Sequence, residues 1–459
     1  MALSGELKTW HKTTIDLLGP ELAETAATFT DYRLDVTFTH ENGTTLTVPG
    51  YFAADGDAAE SGATSGNVWR AHFSAPLEGE WTYSASLVTG TNVAALRDDA
   101  GTAIDLGAQG QGTFTIAPTD KTGLDSRAHG TLADDNTDGY LERRGSGEVW
   151  LKTGVDSPEN FLAYEEFDNT FETRGPAATP RYIEHVDAFA NGDPAWRGGL
   201  GDEIVGATNY LAEQGVNSIY VMPMTIGGDG LDTSPFVDQA NLNRIPRTGS
   251  GLGTSKTMAE TVAAIDGVEF ADFVTYDTSK LDQWGVVFDH MQTQGINLHL
   301  VLQETENDQL FNDTALGNTG ASGDLSIERA VYLREMVARF GHNNYLTWNL
   351  GEENTQTAAE REAMFAEISA LDAYGHMAAI HTFPGQQNNI YGPLLGNEDV
   401  TGASIQTSAF NQTASAIQQW VTASQNAGQR WVVMADETSD ASTGVAADSI
   451  NPGHNDARS

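Results

Sequence analysis

The sequence predicts a multidomain protein of the β plus α/β class, a small antiparallel β-sandwich followed by a barrel of alternating parallel strands and helices. Three observations lead to this fold class. Apolar and polar residues alternate up to about Pro118, the rhythm changes to strand, loop and amphipathic helix after Arg127, and 459 residues can bury two cores. We therefore expect residues 1–118 to form the sandwich, 119–127 a linker and 128–459 the barrel.

The N-terminal part alternates with the period of half-buried strands. This alternation is clear in residues 32–38 and again in residues 81–87. Turn-forming residues separate such runs at 41–43, 49–50 and 78–79. Short alternating strands joined by tight turns are typical of antiparallel sandwiches, and the length fits one immunoglobulin domain. We therefore expect an immunoglobulin-like β-sandwich.

The second part repeats one unit, an apolar strand followed by a loop and an amphipathic helix, which is typical of a parallel sheet. Five glycines each close a predicted helix, where a left-handed residue is favoured. They are Gly215, Gly295, Gly341, Gly375 and Gly428. The predicted strands are 150–155, 217–222, 297–303, 345–350, 377–381, 402–406 and 430–435.

These seven strands are one fewer than a closed (β/α) barrel contains. Residues 443–459 are polar, short and interrupted by proline and glycine, so they do not predict another helix and strand. We therefore expect the barrel to lack its last β/α unit in this chain, as a C-terminal truncation would produce.

The composition excludes several classes of protein. The formal net charge of −41 at pH 7 makes nucleic acid and anionic membranes unfavourable partners. No run of about 18 apolar residues predicts a membrane span, and no charged-then-apolar leader marks a signal peptide. Cysteine is absent, which removes disulfides and thiolate chemistry. The acidic, lysine-poor composition fits a halophilic protein or an ordinary acidic secreted one, and the oligomeric state stays open.

Acidic residues gather where two of the predicted strands end. The fourth strand is followed by Glu352 and Glu353, and the seventh by Asp436 and Glu437. Active sites of (β/α) barrels lie at the C-terminal ends of the strands. Retaining glycosidases need two carboxyl groups about 5 to 5.5 Å apart, one a proton donor and the other a nucleophile. These strand ends can supply the pair, although sequence leaves open whether Glu352 or Glu353 faces the cavity.

The fourth strand resembles the motif Trp-x-x-Gly-Asn-Glu of clan A glycoside hydrolases, with Trp348, Gly351 and Glu353 in place and Glu352 at the asparagine position. A wider resemblance is to bacterial glycoside hydrolases with an immunoglobulin-like N-terminal domain of unknown function and an apiosidase-like barrel. The segments that carry it are 49–56, 154–162, 279–284, 302–307 and 348–354. The resemblance implies Glu353 as acid/base, Glu437 as nucleophile, and a chain that continues past strand seven.

Further polar residues near the strand ends are candidate substrate ligands, because barrel rims bind sugars through hydroxyl groups. An alternative for each is a role in capping a loop or in solvation. The candidates are Asp156, Asn160, Asp229, Glu304, Glu306, Asn349, Glu352, His381 and Gln406.

We expect neither a metal nor a cofactor. Paired metal-binding histidines of the H-x-H or H-E-x-x-H type do not occur. Residues 134–139 imitate the first half of a calcium loop, but Gly145 stands where its final acid belongs.

The sequence therefore predicts a secreted, periplasmic or cell-surface enzyme that cleaves a carbohydrate by retaining double displacement. Glu353, kept protonated by nearby carboxylates, would protonate the glycosidic oxygen, and Glu437 would attack the anomeric carbon. Two alternatives remain, a non-catalytic carbohydrate-binding or scaffold protein on the same fold and a polysaccharide lyase. The sugar, the linkage, and endo or exo action depend on loop shape.

Overall fold

Antiparallel strand pairing up to residue 150 and parallel pairing after it divide the molecule. The structure, a computed structural model, describes residues 2–97, 100–134, 138–154, 159–170, 181–225, 233–237, 273–305, 307–311 and 325–438. Within these ranges, no helix combines the length and the apolar character needed to cross a membrane.

The N-terminal strands are β1 (Ala2–Gly5), β2 (Lys12–Ala23), β3 (Tyr32–His40), β4 (Thr45–Phe52), β5 (Ser65–Ser74), β6 (Gly79–Thr89), β7 (Thr102–Ala103) and β8 (Gln111–Ile116). They form one sheet in the order β1-β2-β5-β4-β3-β6-β7, and β8 also pairs with β6. Two short helices, α1 (Ala26–Thr30) and α2 (Ala58–Ser61), lie between strands.

The two alternating runs of the sequence lie in β3 and β6, which pair with each other and place Phe38 opposite Tyr83. Leu34, Val36 and Phe38 are buried, which confirms the predicted half-buried strand. Because β4 pairs with both β3 and β5, the strands form one curled sheet instead of two separate facing sheets. The immunoglobulin-like arrangement therefore stays a prediction.

A small antiparallel sheet follows, made of β9 (Leu132–Asp134), β10 (Leu141–Arg143) and β11 (Glu148–Trp150). The parallel strands are β12 (Ser218–Val221), β13 (Asn297–Val301), β14 (Leu346–Asn349), β15 (Met377–Ala379), β16 (His381–Thr382), β17 (Gly402–Gln406) and β18 (Val432–Glu437). The helices among them are α3 (Asp202–Glu213), α4 (Thr278–Thr293), α5 (Ile327–Phe340), α6 (Ala358–Leu371), α7 (Gln387–Tyr391) and α8 (Phe410–Asn426).

The parallel strands confirm six of the seven predicted strands, with ends that differ by up to two residues, and β15 and β16 are one predicted strand interrupted at Ile380. The first predicted strand, 150–155, is wrong. Trp150 ends the antiparallel β11, and the side chain of Asn217 accepts a hydrogen bond from Thr153 N and donates one to Leu151 O. These two side-chain bonds take the place of most of the backbone hydrogen bonds that a strand at residues 151–154 would make with β12.

The predicted helix ends are confirmed by geometry at three of the five glycines. Gly215, Gly295 and Gly428 directly follow the C-cap residues of α3, α4 and α8 with φ of 81°, 68° and 98°, the left-handed region that glycine favours. Gly375 is also left-handed, with φ of 67°, but α6 ends at Leu371 and is capped by the extended Asp372, so Gly375 lies beyond the helix end. Gly341 differs, since its φ of −61° is right-handed and its N–H still bonds the carbonyl of Val337.

Among the described residues, β18 is the last strand of the parallel series. It lines one cavity together with Leu151, Lys152 and Gly154, and we call this gap the seam. A cavity of about 530 Å³ lies in this seam, and its walls include Trp150 and Leu151 on one side and Ile417 and Val433 on the other. Lys152 and Asp436 form an ion pair across it. Leu151 is 64% exposed, so the seam leaves apolar surface open.

The other side of the parallel sheet packs against the N-terminal sheet through α5. Arg339 lies 4.1 Å above the ring of Tyr51 and donates to Phe52 O. Arg334 donates to Leu34 O. Glu24 accepts a hydrogen bond from Thr278 N and so caps the start of α4 from the N-terminal sheet. The two parts of the molecule are therefore joined by charged side chains as well as by apolar contact.

Candidate active site

One amide group links the two predicted catalytic glutamates. Gln406, at the end of β17, donates from Nε2 to Glu353 Oε1 at 3.2 Å and also to Glu437 Oε2. Since both bonds share one nitrogen, the nearest oxygens of the two carboxylates lie less than about 6 Å apart. Both glutamates are half-buried, so part of each residue remains exposed.

A local irregularity places Gln406 opposite Glu437. The β17–β18 ladder pairs Ile405 with Ala435 and then Gln406 with Glu437, so Asp436 is an extra residue on β18. A β-bulge of this kind re-aims the side chains that follow it, and bulges are over-represented next to active sites. Asp436 is buried beneath the site, whereas Glu437 points towards Gln406.

Glu353 has strained backbone geometry. Its φ of 48° is in the left-handed region, which costs a residue with a side chain about 1–2 kcal/mol. Its neighbours hold this turn, because Glu352 N donates to Gln303 O at 2.9 Å and Asn354 N donates to His381 O at 3.3 Å. Such strain persists where the surrounding structure over-determines it, and it clusters at functional sites.

Asn349 supports the same turn from below. Its Oδ1 accepts from Gly351 N at 3.3 Å and from His381 N at 3.2 Å, while its Nδ2 contacts His299 Nε2 at 3.1 Å. The side chain is fully buried, and both the oxygen and the nitrogen of its amide have hydrogen-bond partners. This placement favours a positioning role for Asn349 over the sugar contact expected from the sequence.

A buried charged network lies under the two glutamates. Lys152 pairs with Asp436 and lies 3.4 Å from His299 Nδ1. Burial raises the pKa of Asp436, but the Lys152 ammonium outweighs it and holds this pKa at about 2. Burial, together with Lys152, lowers the pKa of His299 to about 3. The aspartate is therefore ionised at neutral pH and the imidazole is neutral.

His381 lies beside the carboxylate of Glu437, with Nε2 3.9 Å from Oε2. Burial lowers the pKa of His381 to about 4, despite the nearby carboxylate of Asp436. The ring is therefore neutral at pH 7 and can offer one N–H. Neither ring nitrogen has a hydrogen-bond partner among the described residues.

The remaining predicted ligands are more scattered. Glu352 Oε2 lies 3.5 Å from the hydroxyl of Tyr220, and Glu304 is buried with Oε1 3.4 Å from Asn307 Nδ2. Asn160 lies in the turn Glu159–Ala163. Asp156, Asp229 and Glu306 lie outside the described residues.

The supporting side chains Lys152, His299 and Tyr220 were missed by sequence reasoning. A signal exists for two of them, since His299 and Tyr220 stand in the middle of otherwise apolar barrel strands. A polar group at such a position must be paired or functional, because burying it alone is costly.

Within the described residues, the N-terminal region and the linker form one cluster of possible metal ligands. Glu6, His11 and Asp120 bring ligand atoms within 4.8 Å of one another. Lys8 bonds both acids and Lys121 also bonds Glu6, so ammonium groups already supply the positive charge there. This arrangement does not favour a cation.

Comparison with known proteins gives a fold but no family membership. Residues 6–88 match a family model described as a domain of unknown function, DUF5060. No curated protein matches the chain. A structure from Bacteroides vulgatus, provisionally assigned as a glycoside hydrolase, is similar with a TM-score of 0.54 and 17% identity. The match covers 93% of this chain but 63% of that protein.

Two more distant structures are a family 5 mannosidase from Rhizomucor miehei and an endo-β-1,4-mannanase from Thermotoga petrophila. The mannosidase gives a TM-score of 0.38 at 9% identity, covering 66% of this chain and 70% of its own. The mannanase gives 0.31 at 12% identity, covering 48% and 54%. The structural neighbours are thus glycoside hydrolases, and at these identities the likeness with the Bacteroides protein establishes the mixed β and α/β fold alone.

Proposed function

We propose that this chain is a glycoside hydrolase that acts by retaining double displacement, with Glu353 as acid/base and Glu437 as nucleophile. The observation that carries the proposal is the single amide nitrogen of Gln406 in contact with both carboxylates. Retaining enzymes hold their carboxyl groups about 5 to 5.5 Å apart, and inverting enzymes about 6.5 to 9.5 Å. A separation of less than about 6 Å supports the retaining mechanism.

The chemistry proceeds in two displacements. Glu437 attacks the anomeric carbon while Glu353 gives its proton to the departing glycosidic oxygen, and a glycosyl–Glu437 ester results. Glu353 then takes a proton from water, and the water oxygen attacks the same carbon and releases Glu437. The neutral His381 and the amide of Gln406 face the carboxylate of Glu437, and the Lys152–Asp436 pair adds no net charge below it.

Several sequence predictions extend this proposal. The polar residues of the rim would bind sugar hydroxyl groups, the N-terminal part would be an immunoglobulin-like domain ending near residue 118, and the barrel would lack its last β/α unit. The protein would act outside the cytoplasm on a carbohydrate of undetermined linkage. A non-catalytic carbohydrate-binding protein is the second candidate, favoured by the open seam between Leu151 and Val433.

Product stereochemistry tests the proposal. Nitrophenyl and methylumbelliferyl glycosides, together with a set of polysaccharides, would identify a substrate, and proton NMR would record the anomer that forms first. We expect retention of configuration, and a 2-deoxy-2-fluoro glycoside should label Glu437 covalently. Glu437→Gln should lower turnover by about a thousandfold or more with the fold intact.

The controls separate neighbouring roles. Glu362→Gln, on an exposed face of α6, should leave turnover unchanged. Glu353→Ala should retain activity towards substrates with good leaving groups, because these need no proton. An inverted product would exclude the double displacement, and full activity of Glu437→Gln would exclude Glu437 as nucleophile.

A further inference from the structure

We infer that Gln406 is a positioning residue that decides which oxygen of each glutamate reacts, an inference that rests on the proposed function. Its Nε2 carries two hydrogens, one directed at Glu353 Oε1 and the other at Glu437 Oε2. An oxygen that accepts such a bond cannot also present its own proton to the same nitrogen. The proton of Glu353 therefore resides on Oε2, and the oxygen of Glu437 that Gln406 does not bond, Oε1, is the nucleophile.

The orientation of the amide follows from the charges around it. The opposite orientation would place the carbonyl oxygen of Gln406 against the carboxylate of Glu437, which has no proton to donate, so this close contact would be repulsive. The nitrogen therefore faces the pair and Oε1 faces away. That oxygen is buried and has no hydrogen-bond partner in the described part of the chain, which leaves an acceptor for a sugar hydroxyl.

The backbone of Gln406 is held on two sides, so the amide is presented by a fixed strand end. Gln387 Nε2 donates to Gln406 O at 2.6 Å, and Trp420 Nε1 in turn donates to Gln387 Oε1 at 2.8 Å. Thr407 N donates to Glu437 O at 3.0 Å and closes the ladder just after the bulge. Gln406 thus orients the two glutamates from the end of β17, in addition to the turn that holds Glu353 and the strand that ends at Glu437.

The charged surroundings define what a change at Gln406 would do. The titratable groups that the structure describes around the pair are Glu352 on the same turn as Glu353, His381 on β16, and the ion pair of Lys152 and Asp436 below. Gln406 is neutral and donates to the carboxylate of Glu437, which favours the ionised form of this nucleophile. Removing the donor should raise the pKa of the Glu437 carboxyl, and placing a cation there should lower it.

The test compares Gln406→Met with Gln406→Lys. Gln406→Met should lower kcat about 100-fold, with KM changed little, and should move the acidic limb of the kcat/KM profile to higher pH by about one unit. Gln406→Lys keeps a donor and should move that limb to lower pH. A purely structural role would not produce shifts of opposite sign. Gln412→Met, an exposed glutamine on α8, is the matched control.

Thermal melting between pH 4 and pH 8 provides a readout without turnover. Because the donor stabilises the ionised carboxylate, Gln406→Met should lower Tm more at pH 7 than at pH 4. In a Glu353→Gln, Glu437→Gln background the decrease in Tm should be the same at both pH values. An active protein whose variants share the wild-type pH profile would overturn the Gln406 inference and leave the proposed function intact. A wild type without glycosidase activity would overturn the function, and the melting curves would still decide the role of Gln406.

Discussion

The two sides of the parallel sheet are built differently, and the candidate active site lies where they meet. All fourteen residues of α5 are buried between the parallel sheet and the N-terminal sheet. In α8, on the seam side, only Trp420 and Ser424 are buried among seventeen residues. Glu353 comes from the covered side of the sheet and Glu437 from the open side. One catalytic candidate is thus anchored by dense packing, while the other depends on a bulge, an amide and an ion pair.

A matched pair of substitutions sharpens this contrast most strongly. Ile327→Ala, at the start of α5, should cost about 2–5 kcal/mol, because Ile327 is buried against a core that cannot collapse around the lost atoms. Ile417→Ala, on α8, lines the open cavity and should cost less than about 1 kcal/mol. Urea unfolding followed by circular dichroism would measure both. Equal losses would show that the two sides are equally well packed.

The covered side also has a pH-dependent contact. Burial, with the nearby Asp277, raises the pKa of Glu24 to about 7. Since the folded state binds this proton more tightly than the unfolded state, stability contributed here falls as pH rises from about 4.5 to about 7. Glu24→Gln should remove this fall. Compared with wild type, the variant should therefore gain up to about 1–2 kcal/mol more free energy of unfolding at pH 8 than at pH 5.

Denaturant unfolding at pH 5 and pH 8 would measure the effect of Glu24→Gln. Glu21→Gln, at an exposed position of β2 three residues before Glu24, is the control. An identical pH dependence in wild type and Glu24→Gln would contradict the buried, proton-binding carboxyl at the start of α4.

The smallest effect is expected at the seam. Leu151→Lys should change stability by less than about 0.5 kcal/mol, because this side chain is largely exposed. A thermal melt would suffice to detect a larger change. A loss above about 2 kcal/mol would mean that something covers Leu151 in solution, and the two sides of the sheet would then be less different than the structure indicates.

Sequence reasoning succeeded where a repeated pattern decides the structure. The alternation in residues 32–38 predicted β3, and the six apolar runs from 217 to 435 predicted the parallel strands. It failed where one side chain overrides the pattern, as when the amide of Asn217 takes the place of a strand ladder at residues 151–154. The curled sheet was also missed, because β4 pairs on both edges and alternation does not reveal which strands neighbour one another.

The site shows the same division between local pattern and tertiary arrangement. Carboxylates at strand ends led to Glu353 and Glu437, and their catalytic roles stay predictions. The bulge at Asp436 depends on the register of β17 against β18, which the pattern of either strand alone does not reveal. The pairing of Lys152 with Asp436 brings together residues from both ends of the barrel sequence, which spacing alone does not encode.

The left-handed backbone of Glu353 has a consequence for how this position would change over generations. Glycine would relieve the local strain, so selection for folding alone would favour glycine at position 353. Keeping a glutamate requires selection for the carboxyl group itself. Under the proposed function, Glu353→Gly should therefore lower activity and raise the free energy of unfolding together.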